Sequence, residues 1–140
     1  MVNVYPNLKK FLDTAKKQKN QVLWASFRSD MDTPVSTYLK LCNKNDNNFL
    51  LESVQDGSYR GRYSIIGLQP DVIWKCENGV AYKKKINFRN TSRFIKEIDT
   101  PLLSLKKLIM NSKINIPKHL PPMSAGLIGY LGYDNIELYE

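Results

Sequence analysis

Histidine and cysteine are almost missing from this chain. One histidine, His119, and two cysteines, Cys42 and Cys76, are all that its 140 residues carry. That scarcity excludes several chemistries at once. No HExxH, no CxxC and no other metal-ligand spacing occurs. A cysteine nucleophile needs a histidine partner, and Cys42 falls on an apolar helix face where a thiol serves packing. His119 stands in a proline-bounded loop and is expected to be exposed. Phosphate-cradling glycine loops of the Walker or Rossmann kind are absent, and so is a GxSxG elbow. These residues offer neither a catalytic constellation nor a metal site.

Arginine is scarce as well. Five arginines stand against 16 lysines, in a chain of net charge +8. A basic surface invites an acidic partner, nucleic acid above all, and a small basic nucleic-acid-binding module is the alternative reading. Base readout and bidentate phosphate contacts favour arginine, however. The lysines are spread along the chain with one short run, Lys83-Lys84-Lys85, and they accompany 13 asparagines and 11 isoleucines, which share A/T-rich codons. The favoured reading therefore has no nucleic acid as partner. Long apolar runs are missing too: none approaches the ~20 residues of a membrane span. Residues 1–6 lack the charged and apolar regions of a signal peptide. The cysteines are accordingly expected to be reduced core thiols, and the protein to be cytoplasmic, away from any membrane.

What is present suits a folded domain. A hydrophobic fraction of 42% and a charged fraction of 24% are ordinary for a globular protein, and residues 1–140 are expected to form one domain with a core. Leu8, Phe11, Leu12 and Ala15 share one face of a helix over 7–19, with Asn7 as N-cap. QVLWASFR, residues 21–28, reads as a strand. Thr33-Pro34 supplies a cap and a first-turn proline for a second helix, with Val35, Tyr38, Leu39 and Cys42 as its apolar face. Strands come next at about 49–54 and 62–68, then at 71–77 and 80–86. Asn78-Gly79 joins the last two as a two-residue hairpin turn, because both positions tolerate positive φ. Residues 87–98 are poorly defined, with Phe94 and Ile98 compatible with a short helical turn. Thr100-Pro101 opens a third helix to about residue 112, with Leu102, Leu105, Leu108 and Ile109 on one face. MSAGLIGYLGY, residues 123–133, reads as an apolar strand whose glycines at 126, 129 and 132 admit close neighbours. Hairpin strands with three helices interspersed argue for an α+β fold on an antiparallel sheet.

The segment from Phe49 to Leu68 carries the functional interest. Its apolar strands are interrupted by Glu52, Ser53, Arg62 and Ser64. A few convergent polar groups on apolar strands are how a pocket for a small amphiphile is built. Alternation places Phe49, Leu51 and Ser53 on one face, and Leu50, Glu52 and Val54 on the other. Ser53 could serve a ligand or bond neighbouring backbone at a strand end. Arg62 could bind a carboxylate in bidentate fashion or stay solvated.

Five stretches in order resemble a known family, the amino-terminal domain of anthranilate synthase component I. Residues 33–41, TPVSTYLKL, are similar to its TPVSAYLKL helix. Residues 49–53 resemble its FLLES strand, and residues 61–67, GRYSIIG, its GRYSFIG. Residues 120–126, LPPMSAG, and 129–134, GYLGYD, resemble its LPPFSGG and GYLGYD elements. Met123 and Ala125 depart from an aromatic residue and a glycine often found there. The resemblance implies half of a two-domain sandwich, non-catalytic by itself. The full-length enzyme it implies converts chorismate to anthranilate in tryptophan biosynthesis. Mg2+ and chorismate would be held by a carboxy-terminal domain absent from this chain, and ammonia supplied by a glutamine amidotransferase subunit (component II). The role implied here is feedback inhibition by L-tryptophan. The serine of LLES, the family's feedback residue, falls on Ser53. Adjacency adds Glu52 for the ligand's ammonium, Arg62 and Ser64 for its carboxylate, and Pro34 for apolar contact with the indole. Aminodeoxychorismate synthase component I, of the folate pathway, has a similar amino-terminal domain; the TPVSTYLKL stretch and the complete LLES favour the anthranilate branch. An isolated half-sandwich would expose apolar sheet and is expected to self-associate.

Overall fold

Pairing in this chain is local and antiparallel. A computed structural model describes residues 2–17, 20–42, 47–54, 60–87, 90–91, 93–121 and 123–133, with backbone alone at 53, 54, 60–62, 87, 90 and 91. Its elements run β1 (Val4–Tyr5), α1 (Leu8–Lys16), β2 (Trp24–Ala25), α2 (Pro34–Leu41), β3 (Phe49–Val54), β4 (Arg60–Gly67), β5 (Val72–Glu77), β6 (Val80–Asn87), β7 (Asn90–Thr91), β8 (Ile95–Lys96) and α3 (Pro101–Asn111). Strands β1 and β2 pair, β3 pairs with β4, and β5, β6 and β7 lie in order with β8 also on β6. Three helices with small antiparallel sheets make the α+β class expected from the sequence. By contacts the chain falls into two units. One takes residues 1–28, 76–82 and 96–140; the other takes 29–75 and 83–95.

In the first unit, Asn7 caps α1 as its position suggested: its side chain accepts the Lys10 backbone N–H at 3.0 Å. The Gln21 side-chain amide donates to the Phe11 carbonyl at 3.0 Å, tying the next segment to the helix. The strand expected over 21–28 shrinks to Trp24–Ala25. Tyr5 stands opposite Trp24, and the next residue on that side is Pro6, which has no N–H to extend the ladder. Tyr5 stacks on Trp24 with ring centroids 4.8 Å apart, and Trp24 meets His119 at the same distance, tilted by 58°. His119 is exposed as expected, with an aromatic neighbour that the sequence did not disclose.

Helix α3 begins at Pro101 as its proline demands, but the Thr100 side chain makes no cap bond. Its buried face is turned from the expected one. Ser104 is fully buried, Leu105 and Leu108 are half-buried, and Leu102 and Ile109 are exposed. The reason is polar: Ser104 donates to the Glu97 carboxylate at 3.2 Å. The Glu97 N–H donates in turn to the carbonyl of Ala81, the one apolar side chain fully buried among the described residues. That same N–H, spent on a sheet partner, is why the helical turn expected near Phe94 and Ile98 is replaced by β8.

The strand expected over 123–133 is absent. Ser124 folds back, its N–H and hydroxyl both donating to the Pro121 carbonyl, at 3.0 and 2.7 Å. From Leu127 to Leu131 no ladder partner is present among the described strands. The glycines do not serve close approach either: a Cβ at Gly126 or Gly129 would meet nothing within 4 Å. Gly126, at φ +150°, is there for backbone conformation.

In the second unit, Thr33 and Ser36 close a reciprocal capping box on α2 behind Pro34, with bonds of 3.1 and 3.0 Å. In the first unit, the chain turns from β5 to β6 at Asn78 and Gly79, both at positive φ (50° and 70°), as their chemistry predicted. Cys42 and Cys76 are free thiols, half-buried instead of core. No described helix is long and apolar enough to cross a membrane.

Candidate functional site

Strands β3 and β4 place the polar residues that the sequence singled out. The ladder runs from Phe49 opposite Gly67, through Leu50–Ile66 and Leu51–Ile65, to Glu52 opposite Ser64. The hairpin changes character along its length. Phe49, Leu50, Ile65, Ile66 and Gly67 are half-buried, whereas Leu51, Glu52, Tyr63 and Ser64 are exposed. Directly opposite residues in an antiparallel pair hold their Cβ atoms ~4.5–5.5 Å apart. Glu52 and Ser64 therefore form one polar pair at the exposed, turn-side end of an otherwise apolar ribbon.

Beyond that pair the register breaks: Val54 stands opposite Arg60, with an irregularity between Glu52 and Val54. Ser53 lies at the break. Three residues of β4, 61–63, stand against Ser53 alone there, and irregularities of this kind gather next to functional sites. The side chains of Ser53 and Arg62 lie outside the described part of the structure; their backbones belong to β3 and β4. The turn between the strands, residues 55–59, is outside it as well.

The close packing at the other end has a cause that alternation did not reveal. A Cβ placed on Gly67 would fall onto the ring of Phe49, its cross-strand partner. An aromatic ring lying over a cross-strand glycine is a recognised way of pinning register. Here it fixes which residues oppose Glu52 three positions further on.

Helix α2 packs beside both β3 and β4, and Pro34 at its first position is half-buried. The turn before α2 is held by Asp32, which accepts hydrogen bonds from Lys40, Ser29 and Ser36. Chiefly the Lys40 ammonium, and next the Ser29 hydroxyl, hold its carboxyl below the ordinary value of 3.8. At the other end of the helix, burial and then the neighbouring Cys42 thiol push the Tyr38 phenol up. The sequence singled out neither Asp32 nor Gly67. Asp32 was legible as an acidic residue just before a capping threonine, where the helix dipole favours negative charge.

Of the five candidate residues, Glu52 and Ser64 are brought face to face, Ser53 is adjacent at the register break, Arg62 lies two residues along β4 from Ser64, and Pro34 is on the helix beside both strands. The arrangement has a carboxylate, a hydroxyl and an apolar ribbon, with no nucleophile–base pair. Among the described residues no group of three or more His, Cys, Asp or Glu side chains could hold a metal ion. A separate open groove of about 790 Å³ lies in the first unit, lined by Asn20, Ile109, Lys113, Ile116 and Leu127 among others, none of them a candidate from the sequence.

Comparison with known proteins gives the hairpin its context. No protein-family model matches the chain, and no solved structure does. Curated sequences match along almost all of it. Anthranilate synthase component 1 of Cereibacter sphaeroides is 44% identical over 130 residues, covering 89% of this chain and 25% of that protein. The same-named protein of Pseudomonas putida is 33% identical over 135 residues, covering 96% and 27%, and that of Acetivibrio thermocellus 33% over 138 residues, covering 97% and 26%. The chain thus spans about a quarter of the length of the curated relatives it matches. Agreement over nearly its whole length, and with several such relatives, means that this chain belongs to the anthranilate synthase component 1 family, whose amino-terminal part it matches.

Proposed function

We propose that this chain is the tryptophan-sensing portion of an anthranilate synthase component I, with the exposed, turn-side end of the β3–β4 hairpin as its half of the sensor. The observation that carries the reading is the cross-strand pair of Glu52 and Ser64 beside the register break opposite Ser53. An amino acid with an indole side chain needs an acceptor for its ammonium, donors for its carboxylate and apolar surface for its ring. Glu52 supplies the acceptor, Ser64 and Arg62 the donors, Ser53 a further polar contact, and Pro34 apolar surface at the start of α2. Both Glu52 and Ser64 are exposed in the chain by itself, so a second surface is needed to dry the site. In this reading the carboxy-terminal chorismate-binding domain of the longer protein supplies it.

Regulation then follows from differential binding. Tryptophan bound between two surfaces favours the arrangement in which both touch it. It alters turnover only by its difference in affinity for the two arrangements. The chain has no catalytic residues of its own in this reading. Conversion of chorismate to anthranilate, with Mg2+ and with ammonia from a glutamine amidotransferase subunit, belongs to the longer protein acting in the cytoplasm.

The test is product identity and inhibition in that longer protein, supplied with chorismate, Mg2+ and ammonia. Anthranilate as product, with turnover suppressed by L-tryptophan and the suppression lost in Ser53→Phe, is the expected result. Aminodeoxychorismate as product, indifferent to tryptophan, would move the chain to the folate branch. The isolated chain is expected to leave chorismate unchanged.

A further inference from the structure

The positive charge of this chain is concentrated where the hairpin reading does not use it. Residues 71–97 hold seven bases and three acids, a net +4 and half of the chain's +8 in a fifth of its length. Within that stretch, the Lys75 ammonium lies 4.5 Å from the centroid of the Phe94 ring and the Lys84 ammonium 5.8 Å from it. Both distances fall within cation–π range. They also bring the two ammonium groups to within roughly one Debye length of each other, about 10 Å at 0.1 M salt, where like charges still repel.

Strand register explains the convergence. The Ile86 N–H on β6 donates at 2.7 Å to the carbonyl of Asp71, the residue just before β5, which sets those two residues opposite each other. Counting along the antiparallel pair places Ile73 opposite Lys84. Lys75, two residues on from Ile73, shares the face of Lys84. Lys83 and Lys85 stand on the other face, with Val72 and Trp74. The basic run is therefore split by the pleat. Lys75 and Lys84 are both half-buried, laying their stems along the sheet with their charged ends at Phe94, itself 39% exposed.

We propose that this face, Lys75, Lys84 and Phe94, docks an acidic segment of a partner protein, whose carboxylates bridge the ammonium pair while its apolar part covers the exposed ring edge. Two observations favour an acidic protein segment over nucleic acid. Ammonium groups already lie over the ring, which leaves it poorly placed to stack a base. The split of Lys83, Lys84 and Lys85 between two faces keeps that run from serving as one track for successive phosphates.

The experiment is fluorescence anisotropy of the full chain against labelled poly-L-glutamate and, in parallel, a single-stranded oligonucleotide of equal charge, at about 50 and about 200 mM salt. Variants are Lys75→Glu/Lys84→Glu, the milder Lys75→Gln/Lys84→Gln, and Lys83→Gln/Lys85→Gln on the opposite face, each checked by circular dichroism. The expected result is polyglutamate binding weakened about tenfold or more by the first pair, weakened less by its glutamine version, and changed less than about twofold by the opposite-face pair. Equal losses from both faces would mean diffuse charge and would overturn the proposal. Tighter binding of the oligonucleotide, with the same dependence on Lys75 and Lys84, would overturn it in favour of nucleic acid.

Discussion

Gly67 shows how much one residue can fix. Its lack of a side chain lets the Phe49 ring lie across it, and the pair sits at one end of the ladder that aligns Glu52 with Ser64. Gly67→Ala puts a methyl group where the ring is. The strand must separate or Phe49 must leave its place, and overpacking of this kind costs about 1–3 kcal/mol. Urea denaturation of the variant is expected to show that loss, and Phe49→Leu in the same chain to recover part of it by making room. An unchanged midpoint in Gly67→Ala would mean that the ring does not cover the glycine. The candidate residues themselves were legible because they are polar interruptions of apolar strands. Gly67 was not, because a strand-end glycine looks the same whether it ends a strand or receives a ring.

Helices and strands in this chain follow their local signals wherever the partner is also local. Asn78-Gly79 turns the β5–β6 hairpin, and α1 and α2 start at their caps. Two identical-looking Thr-Pro starts then diverge. Thr33 exchanges both bonds of a capping box with Ser36, whereas the Thr100 side chain makes no cap bond. Thr33→Ala is therefore expected to cost about 1 kcal/mol, and Thr100→Ala to stay within about 0.5 kcal/mol, both read by thermal or chemical unfolding. Equal costs would contradict the geometry. The sequence could not separate the two, since each offers threonine before proline. The nearby serines make the difference: three residues after Thr33 stands a serine that bonds back, and four after Thr100 stands a serine drawn instead to Glu97. The same logic covers the elements misread from sequence. The pairing of residues 21–28 stops before Leu23 because Pro6, just after the neighbouring strand, has no N–H to extend the ladder. Residues 94–98 followed a distant carbonyl, that of Ala81. Periodicity reports a segment's own preference and is silent about which backbone groups lie opposite.

At the scale of the whole chain, apolar surface is left uncovered. Leu39 on α2 is 71% exposed, Tyr130 95% and Tyr133 85%, and the apolar segment from Leu127 to Leu131 has no ladder partner among the described strands. Sequence patterning marked these stretches as apolar, because alternation and one-face spacing report apolar character, whichever surface provides the cover. In the family to which this chain belongs, relatives are about four times its length, and the proposed sensor requires a second surface over Glu52 and Ser64. Tryptophan held at the hairpin is thus the central claim. Calorimetric titration of L-tryptophan into the longer protein, wild type against Ser53→Phe, tests it most directly. Saturable binding in the wild type, lost in the variant while anthranilate formation continues, is the predicted result. Unchanged binding in Ser53→Phe, or no binding by the wild type, would contradict it.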